Sequence, residues 1–185
     1  ESKKLEDRKK QDEYEEQMRR ISRLKEASMM DKKYREDSFD KYEVREENQT
    51  VFDVAKKYAE KFPEMYRKNQ GLLMYGPVGT GKSFTAACIG NYLLNNTKSV
   101  IMTSFVKILQ DIWENTKEAE YITILNSVSL LIIDDLGTER ETDYALEKVY
   151  NIIDSRVRAN KPMIITSNLE LNDMMNCDDI RKKRI

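Results

Sequence analysis

The chain has 185 residues, enough for one α/β domain with an extension. Its 32 Lys and Arg offset 33 Asp and Glu, and a formal net charge of −1 excludes a broad basic surface as the basis of nucleic-acid binding. There is no His, and Cys88 and Cys177 lack metal-ligand spacing, which argues against a zinc site. No signal peptide and no membrane-spanning apolar run are visible, so no membrane association is expected. Two separated cysteines suit a reducing, cytoplasmic setting. The first residue is Glu1 rather than Met, which reads as a fragment or processed form.

Residues 1–37 are rich in Lys, Arg, Glu, Asp and Gln and lack Pro and Gly, a composition that predicts a charged helical extension. Tyr14, Met18, Ile21 and Leu24 form a narrow apolar stripe at coiled-coil-like spacing. Two readings stand side by side: a solvated helix held by i,i+4 charge pairs, or a partner-binding helix. Residues 38–50 read as an irregular connector, with Phe39 and Tyr42 as anchors on the following domain; either could also border a nucleotide base. Val51, Val54, Ala55, Tyr58, Ala59 and Phe62 recur at helical spacing, with Asn48 or Thr50 as cap and Pro63 as boundary. Residues 51–185 then read as one patterned α/β domain. Strands are predicted at 72–75, 99–103, 129–133 and 162–166, and helices at 82–95, 104–115, 117–127 and 142–159. This alternation predicts a mainly parallel sheet covered by helices on both faces, a three-layer α/β fold. Two helices stand between the second and third strands where one would suffice, either as a second covering helix or as a partner or DNA element.

Gly76-Pro77-Val78-Gly79-Thr80-Gly81-Lys82-Ser83 matches the phosphate-loop pattern G-x-x-x-x-G-K-[ST] at every fixed position, between a strand and a helix. The glycines let successive N–H groups face one anion, and the helix N-terminus adds positive potential. ATP or ADP is the expected ligand, held by Gly76 through Ser83 and by Phe84, the next residue. Lys82 is expected to reach the β- and γ-phosphates and Ser83 to hold Mg²⁺. Leu130-Leu131-Ile132-Ile133 runs into Asp134-Asp135, acids at the carboxyl end of a buried strand, where ligands bind in open α/β sheets. Asp134 is placed to hold the Mg²⁺ hydration shell and Asp135 to orient or deprotonate water. Asn168, past the strand ending at Thr166, is placed to bond a γ-phosphate or the attacking water. Lys82, Asp135 and Asn168 are thus the catalytic candidates.

These segments resemble the AAA+ ATPases of the DnaC/DnaI-like replicative helicase loaders, within the IstB/DnaC-like family. The resemblance rests on Gly71 to Cys88, on Asp134-Asp135-Leu136-Gly137-Thr138-Glu139, and on Tyr150-Asn151-Ile152-Ile153-Asp154-Ser155-Arg156. It thins before Ser38. It implies that Lys82 and Ser83 are the Walker A pair, Asp134 and Asp135 the Walker B pair, and Asn168 the sensor 1 residue. It also implies self-association through AAA+ domains, an ATP-dependent and weak contact of residues 105–128 with single-stranded DNA, and docking of the extension on a hexameric replicative helicase. Two departures stand out: no Cys-rich zinc module precedes the domain, and Arg184-Ile185 matches only the opening of the arginine-finger motif. Weak hydrolysis, with the last strand and the lid missing, is the corresponding expectation. The short basic run Arg181-Lys182-Lys183-Arg184 reads as a solvated end or a nucleic-acid contact. The alternatives are an IstB-like transposition helper, and a coiled-coil scaffold with a vestigial nucleotide site.

Overall fold

The computed structural model describes residues 2–114, 117–137 and 143–169. Thr138, Glu139, Cys177 and the run 181–185, singled out in the sequence, lie outside the described residues. Four strands, β1 (Leu72–Tyr75), β2 (Val100–Ser104), β3 (Leu130–Leu136) and β4 (Met163–Ser167), form one sheet in the order β1-β4-β3-β2, every pair parallel. Each crossover carries helix: α4 (Lys82–Asn95), then α5 (Phe105–Glu114) with α6 (Glu118–Ser127), then α7 (Asp143–Arg158). Before β1 come α1 (Ser2–Ala27), α2 (Gln49–Glu60) and α3 (Phe62–Arg67).

Side chains along a strand alternate between faces, so the apolar runs feed two cores. Val100, Met102, Leu130, Ile132 and Ile164 meet α4 and α2 on one face. Ile101, Leu131 and Ile133 meet Phe105, Ile108, Ile112 and Ile152 on the other. Burial on both faces explains why these strands read as continuous apolar runs. Cys88 lies wholly inside, and burial pushes its thiol up to about 12.

Four local expectations are corrected. The helix in the charged segment stops at Ala27 instead of running towards residue 37; Met29 takes a left-handed φ of 56° and a 3₁₀ turn follows at Lys32–Tyr34. The connector is less irregular than its sequence suggests, holding a second 3₁₀ turn at Phe39–Lys41. Pro63 does not merely bound α2: it occupies the first turn of α3, where its missing N–H costs no helical bond. Val51 and Val54 are exposed at the rim of the α2 stripe, while Ala55, Tyr58 and Ala59 carry its burial and Phe62 continues it into α3.

The apolar stripe of α1 divides. Tyr14 and Met18 are exposed, whereas Ile21 is buried and Leu24 packs on the α4 core. Residues 28–37, assigned to the extension from sequence, lie against the sheet domain. The Met102 N–H of edge strand β2 donates to the Ser28 carbonyl at 2.9 Å. Met30 packs over Gly90, where a Cβ would come within 3.2 Å of its methyl and of Ile132. Asn91 Nδ2 donates to the carbonyls of Tyr34 and Asp37 at 2.7 and 2.8 Å.

Arg156 draws the lower ends of these elements together. It is fully buried and donates to the carbonyls of Leu125, Val128, Ser129 and Pro162 at 2.9–3.1 Å. Those carbonyls sit where α6 ends and where β3 and β4 begin. Burial pushes the guanidinium down to about 10, so it remains charged at neutral pH.

Candidate functional site

Parallel pairing decides which chain segments meet. Tyr75 of β1 is level with Ser167 of β4, and Ser167 is level with Leu136 of β3. The phosphate loop leaves β1 one residue past that line, Asn168 follows β4 one residue past it, and Asp134 and Asp135 lie just short of it on β3. One edge of the sheet therefore gathers all three segments, with β4 between the loop strand and the acidic strand.

The loop is curled by Gly76, Gly79 and Gly81, whose φ values are 128°, 85° and 83°. A Cβ at any of the three would meet nothing within 4 Å, so the inner wall is open backbone. L side chains rarely adopt such φ values, which is why glycine stands there. Lys82 and Ser83 open α4 directly after Gly81, its N-cap. The Lys82 ammonium donates to the carbonyls of Gly76 and Pro77, both at 2.8 Å, and to Thr80 Oγ1 at 3.3 Å. Its charge thus sits over the concavity. Thr80 Oγ1 also donates to the Pro77 carbonyl at 3.0 Å, bracing the loop, while the Val78 side chain projects outward at 81% exposure. Phe84 lines a groove of about 410 Å³ beside the loop with Tyr42, Asn48, Gly79 and Gly81.

The acidic pair sits on an irregularity. Between Ile133 and Leu136 the β3 register slips by one residue against β4, a β-bulge, and Asp135 takes φ 59°. A non-glycine residue there costs about 1–3 kcal/mol unless its surroundings hold it. They do: the Asp135 N–H donates to Thr166 Oγ1 at 2.8 Å, and Asn168 Nδ2 donates to the Asp135 carboxylate. Thr166 in turn donates to Asp134 Oδ1 at 2.7 Å. One hydroxyl therefore ties both acids to the neighbouring strand tip, and the half-buried acids lie at the same end of the sheet as the loop. Sequence reasoning named Asp134, Asp135 and Asn168 but gave Thr166 no role. Its only signal was a hydroxyl residue closing an apolar strand.

The donor set suits a nucleoside polyphosphate with a divalent cation. An open glycine cradle at a helix N-terminus and one ammonium are matched to phosphate oxygens. Ser83 and Asp134 are oxygen donors of the kind that Mg²⁺ takes.

The model of IstB-like ATP-binding proteins matches residues 3–178. The replicative helicase loader DnaC of Buchnera aphidicola subsp. Schizaphis graminum is 31% identical over 146 residues, 75% of this chain and 58% of that protein. DnaC of Escherichia coli K12 is 33% identical over 141 residues, 72% of this chain and 56% of that protein. The chain thus spans little more than half the length of these relatives. Among solved structures, a DnaC helicase loader superposes with a TM-score of 0.67 at 22% identity, over 83% of this chain and 91% of that one. AMPPCP-bound DnaA from Aquifex aeolicus gives 0.68 at 24% identity, over 83% of this chain and 48% of that one. At such identities the superpositions speak for the fold alone, an α/β P-loop domain.

Proposed function

We propose, for a chain that belongs to the IstB-like ATP-binding protein family, that it is the nucleotide-switched part of a replicative helicase loader. The observation that carries this reading is the 31–33% identity to DnaC loaders across about three quarters of the chain. The IstB-like transposition helper has less support, because the curated relatives reported above are loaders.

In this reading the backbone from Gly76 to Gly81 cradles the phosphates of ATP, Lys82 neutralises their outer oxygens, and Phe84 flanks the nucleotide. Ser83 and Asp134 would hold Mg²⁺, which when bound neutralises charge on the phosphate oxygens. Asp135, fixed by Thr166 and Asn168, orients the attacking water and accepts its proton. Asn168 senses the terminal phosphate through the same contact. Phosphoryl transfer depends mainly on positioning and charge, so a pre-held carboxylate is worth more than a mobile one. An arginine supplied in trans by a neighbouring subunit would add transition-state charge. Hydrolysis by isolated chains is therefore proposed to be weak, and to rise on self-association in the cytoplasm.

The exposed half of α1, with Tyr14 and Met18, is proposed as the surface that engages the hexameric helicase. The edge of α5 is proposed for single-stranded DNA: Trp113, 80% exposed, meets the Tyr144 ring edge-to-face at 6.4 Å. Exposed aromatics stack on bases irrespective of sequence.

Co-elution with purified replicative helicase tests the assignment. A variant lacking residues 1–19 should bind ATP with unchanged affinity and lose co-elution. A variant lacking 1–37 should also melt lower, because it removes Ile21, Leu24 and Met30 from the core. Co-elution retained by the shorter deletion would move the docking surface into the ATPase domain. Co-elution with a transposase but no helicase would favour the transposition helper.

A further inference from the structure

From the sequence, Tyr42 reads as an anchor for the connector or as a border to a nucleotide base; its contacts give it a more definite place. Its ring packs against Phe52 at 5.0 Å and Phe84 at 5.3 Å. Its hydroxyl lies 2.9 Å from Thr85 Oγ1, and Thr85 Oγ1 donates to the Gly81 carbonyl at 2.9 Å. A threonine hydroxyl carries one proton. With that proton on Gly81, the Tyr42 hydroxyl must be the donor to Thr85. The result is a directed relay, Tyr42 to Thr85 to Gly81. Thr85 is almost wholly buried, where an oxygen lacking its donor is costly.

The far end of the relay is the residue that turns the phosphate loop into α4. Gly81 holds φ 83° immediately before Lys82, so the angle of its peptide aims both the loop N–H groups and the lysine stem. The near end belongs to a strap. From Ser28 to Tyr42 the chain is fastened along α4 and β2 at successive points: Ser28 to Met102, Met30 over Gly90, Tyr34 and Asp37 to Asn91, and Phe39 against Tyr92. Tyr42 is the point at which this strap reaches the phosphate loop.

We propose that Tyr42 is a positioning residue for the phosphate loop: through Thr85 it fixes Gly81 in its left-handed conformation and so raises nucleotide affinity. The proposal rests on the nucleotide-binding part of the function proposed above and on none of its partners.

Tyr42→Phe in the full chain removes the donor and keeps the ring. ATP affinity should fall about threefold to tenfold, the range expected of a single hydrogen bond. The melting temperature of the nucleotide-free protein should fall by no more than a few degrees, about what one lost hydrogen bond costs. Amide exchange should quicken by a similar factor at residues 76–84 and remain unchanged across α2. Thr85→Val should reproduce the affinity loss, Thr85→Ser should restore it, and the Tyr42→Phe/Thr85→Val pair should lose no more than either single variant. Wild-type affinity in Tyr42→Phe overturns the proposal. So does a joint fall in melting temperature and affinity with exchange raised along α2 as well, which makes Tyr42 a packing residue. If the unmutated chain binds no ATP, the nucleotide-site reading fails first, an outcome distinct from normal binding that is indifferent to Tyr42.

Discussion

Lys82 is held by three acceptors of its own loop, Gly76, Pro77 and Thr80, at distances of 2.8–3.3 Å. Phosphate oxygens would replace acceptors of modest strength with charged ones, and charge-assisted bonds are roughly twice as strong as neutral ones. Lys82→Ala should therefore weaken ATP binding by about 1.5–3 kcal/mol, or roughly tenfold to a hundredfold, as read by calorimetry. Unchanged affinity would remove the loop from the binding site. Thr166 makes a second prediction on this scale. Thr166→Val keeps shape but loses the bond to the Asp134 carboxylate and the bond from the Asp135 N–H. Stability should fall by about 1–3 kcal/mol in denaturant unfolding. Single-turnover hydrolysis, measured on assembled protein, should slow further than ATP affinity falls, because the hydroxyl holds the acids and not the phosphate loop. Equal losses in both would make Thr166 a general stabiliser of the sheet edge.

At the scale of elements, Arg156 does the work of a cap for three of them. Helix α6 ends at Ser127 without a glycine stop, and β3 begins three residues later. The carbonyls left over in that turn need donors, and one guanidinium supplies them together with the Pro162 carbonyl before β4. Lys161 adds bonds to the carbonyls of Asn126 and Ser127 at 2.8 and 3.1 Å. Arg156→Met fills similar volume but removes the donor from four carbonyls, three of them in buried bonds and one in a part-buried bond. A loss of about 3–5 kcal/mol in unfolding free energy is expected, with lower soluble yield. A variant as stable as the parent would mean that water reaches those carbonyls. The segment Tyr150 to Arg156, which carried part of the family resemblance in the sequence, thus contains a residue with a clear structural task remote from the nucleotide.

At the scale of the molecule, charge sets the behaviour towards DNA. With a net charge of −1 the chain has no global field to attract a polyanion. In the proposed reading, any binding of single-stranded DNA would have to come from local cations and from stacking at Trp113 and Tyr144, summed over neighbouring subunits. Fluorescence anisotropy with a labelled oligonucleotide should show weak binding that tightens with ATP and falls steeply between 50 and 200 mM salt, on the order of tenfold or more. Trp113→Ala should lower the remaining affinity by about 1–3 kcal/mol with little change in the salt slope. Tight, salt-insensitive binding by a monomer would sink the multi-subunit picture.

The sequence by itself determined the alternation of strands and helices, the phosphate loop and the two acids. Each of these is written in contiguous residues whose local chemistry is restrictive. Gly76, Gly79 and Gly81 are required by backbone angles that other residues resist, and Leu130 to Ile133 must be buried on both faces. Even the helix after the loop, 82–95, could be bounded from its glycine start. What only the tertiary structure decided was which segments share an edge and what holds them there. The order β1-β4-β3-β2 sets Asn168 between the loop and the acids, and no local pattern encodes strand order. The bulge at Asp134–Asp135 exists because Thr166 and Asn168, more than thirty residues away, hold it. The same holds for the charged segment. Composition favoured helix across it, but the Asn91 side chain and the Met102 N–H claimed its backbone carbonyls after residue 27. Contacts between residues far apart in the chain outweighed a propensity worth a few tenths of a kcal/mol per residue.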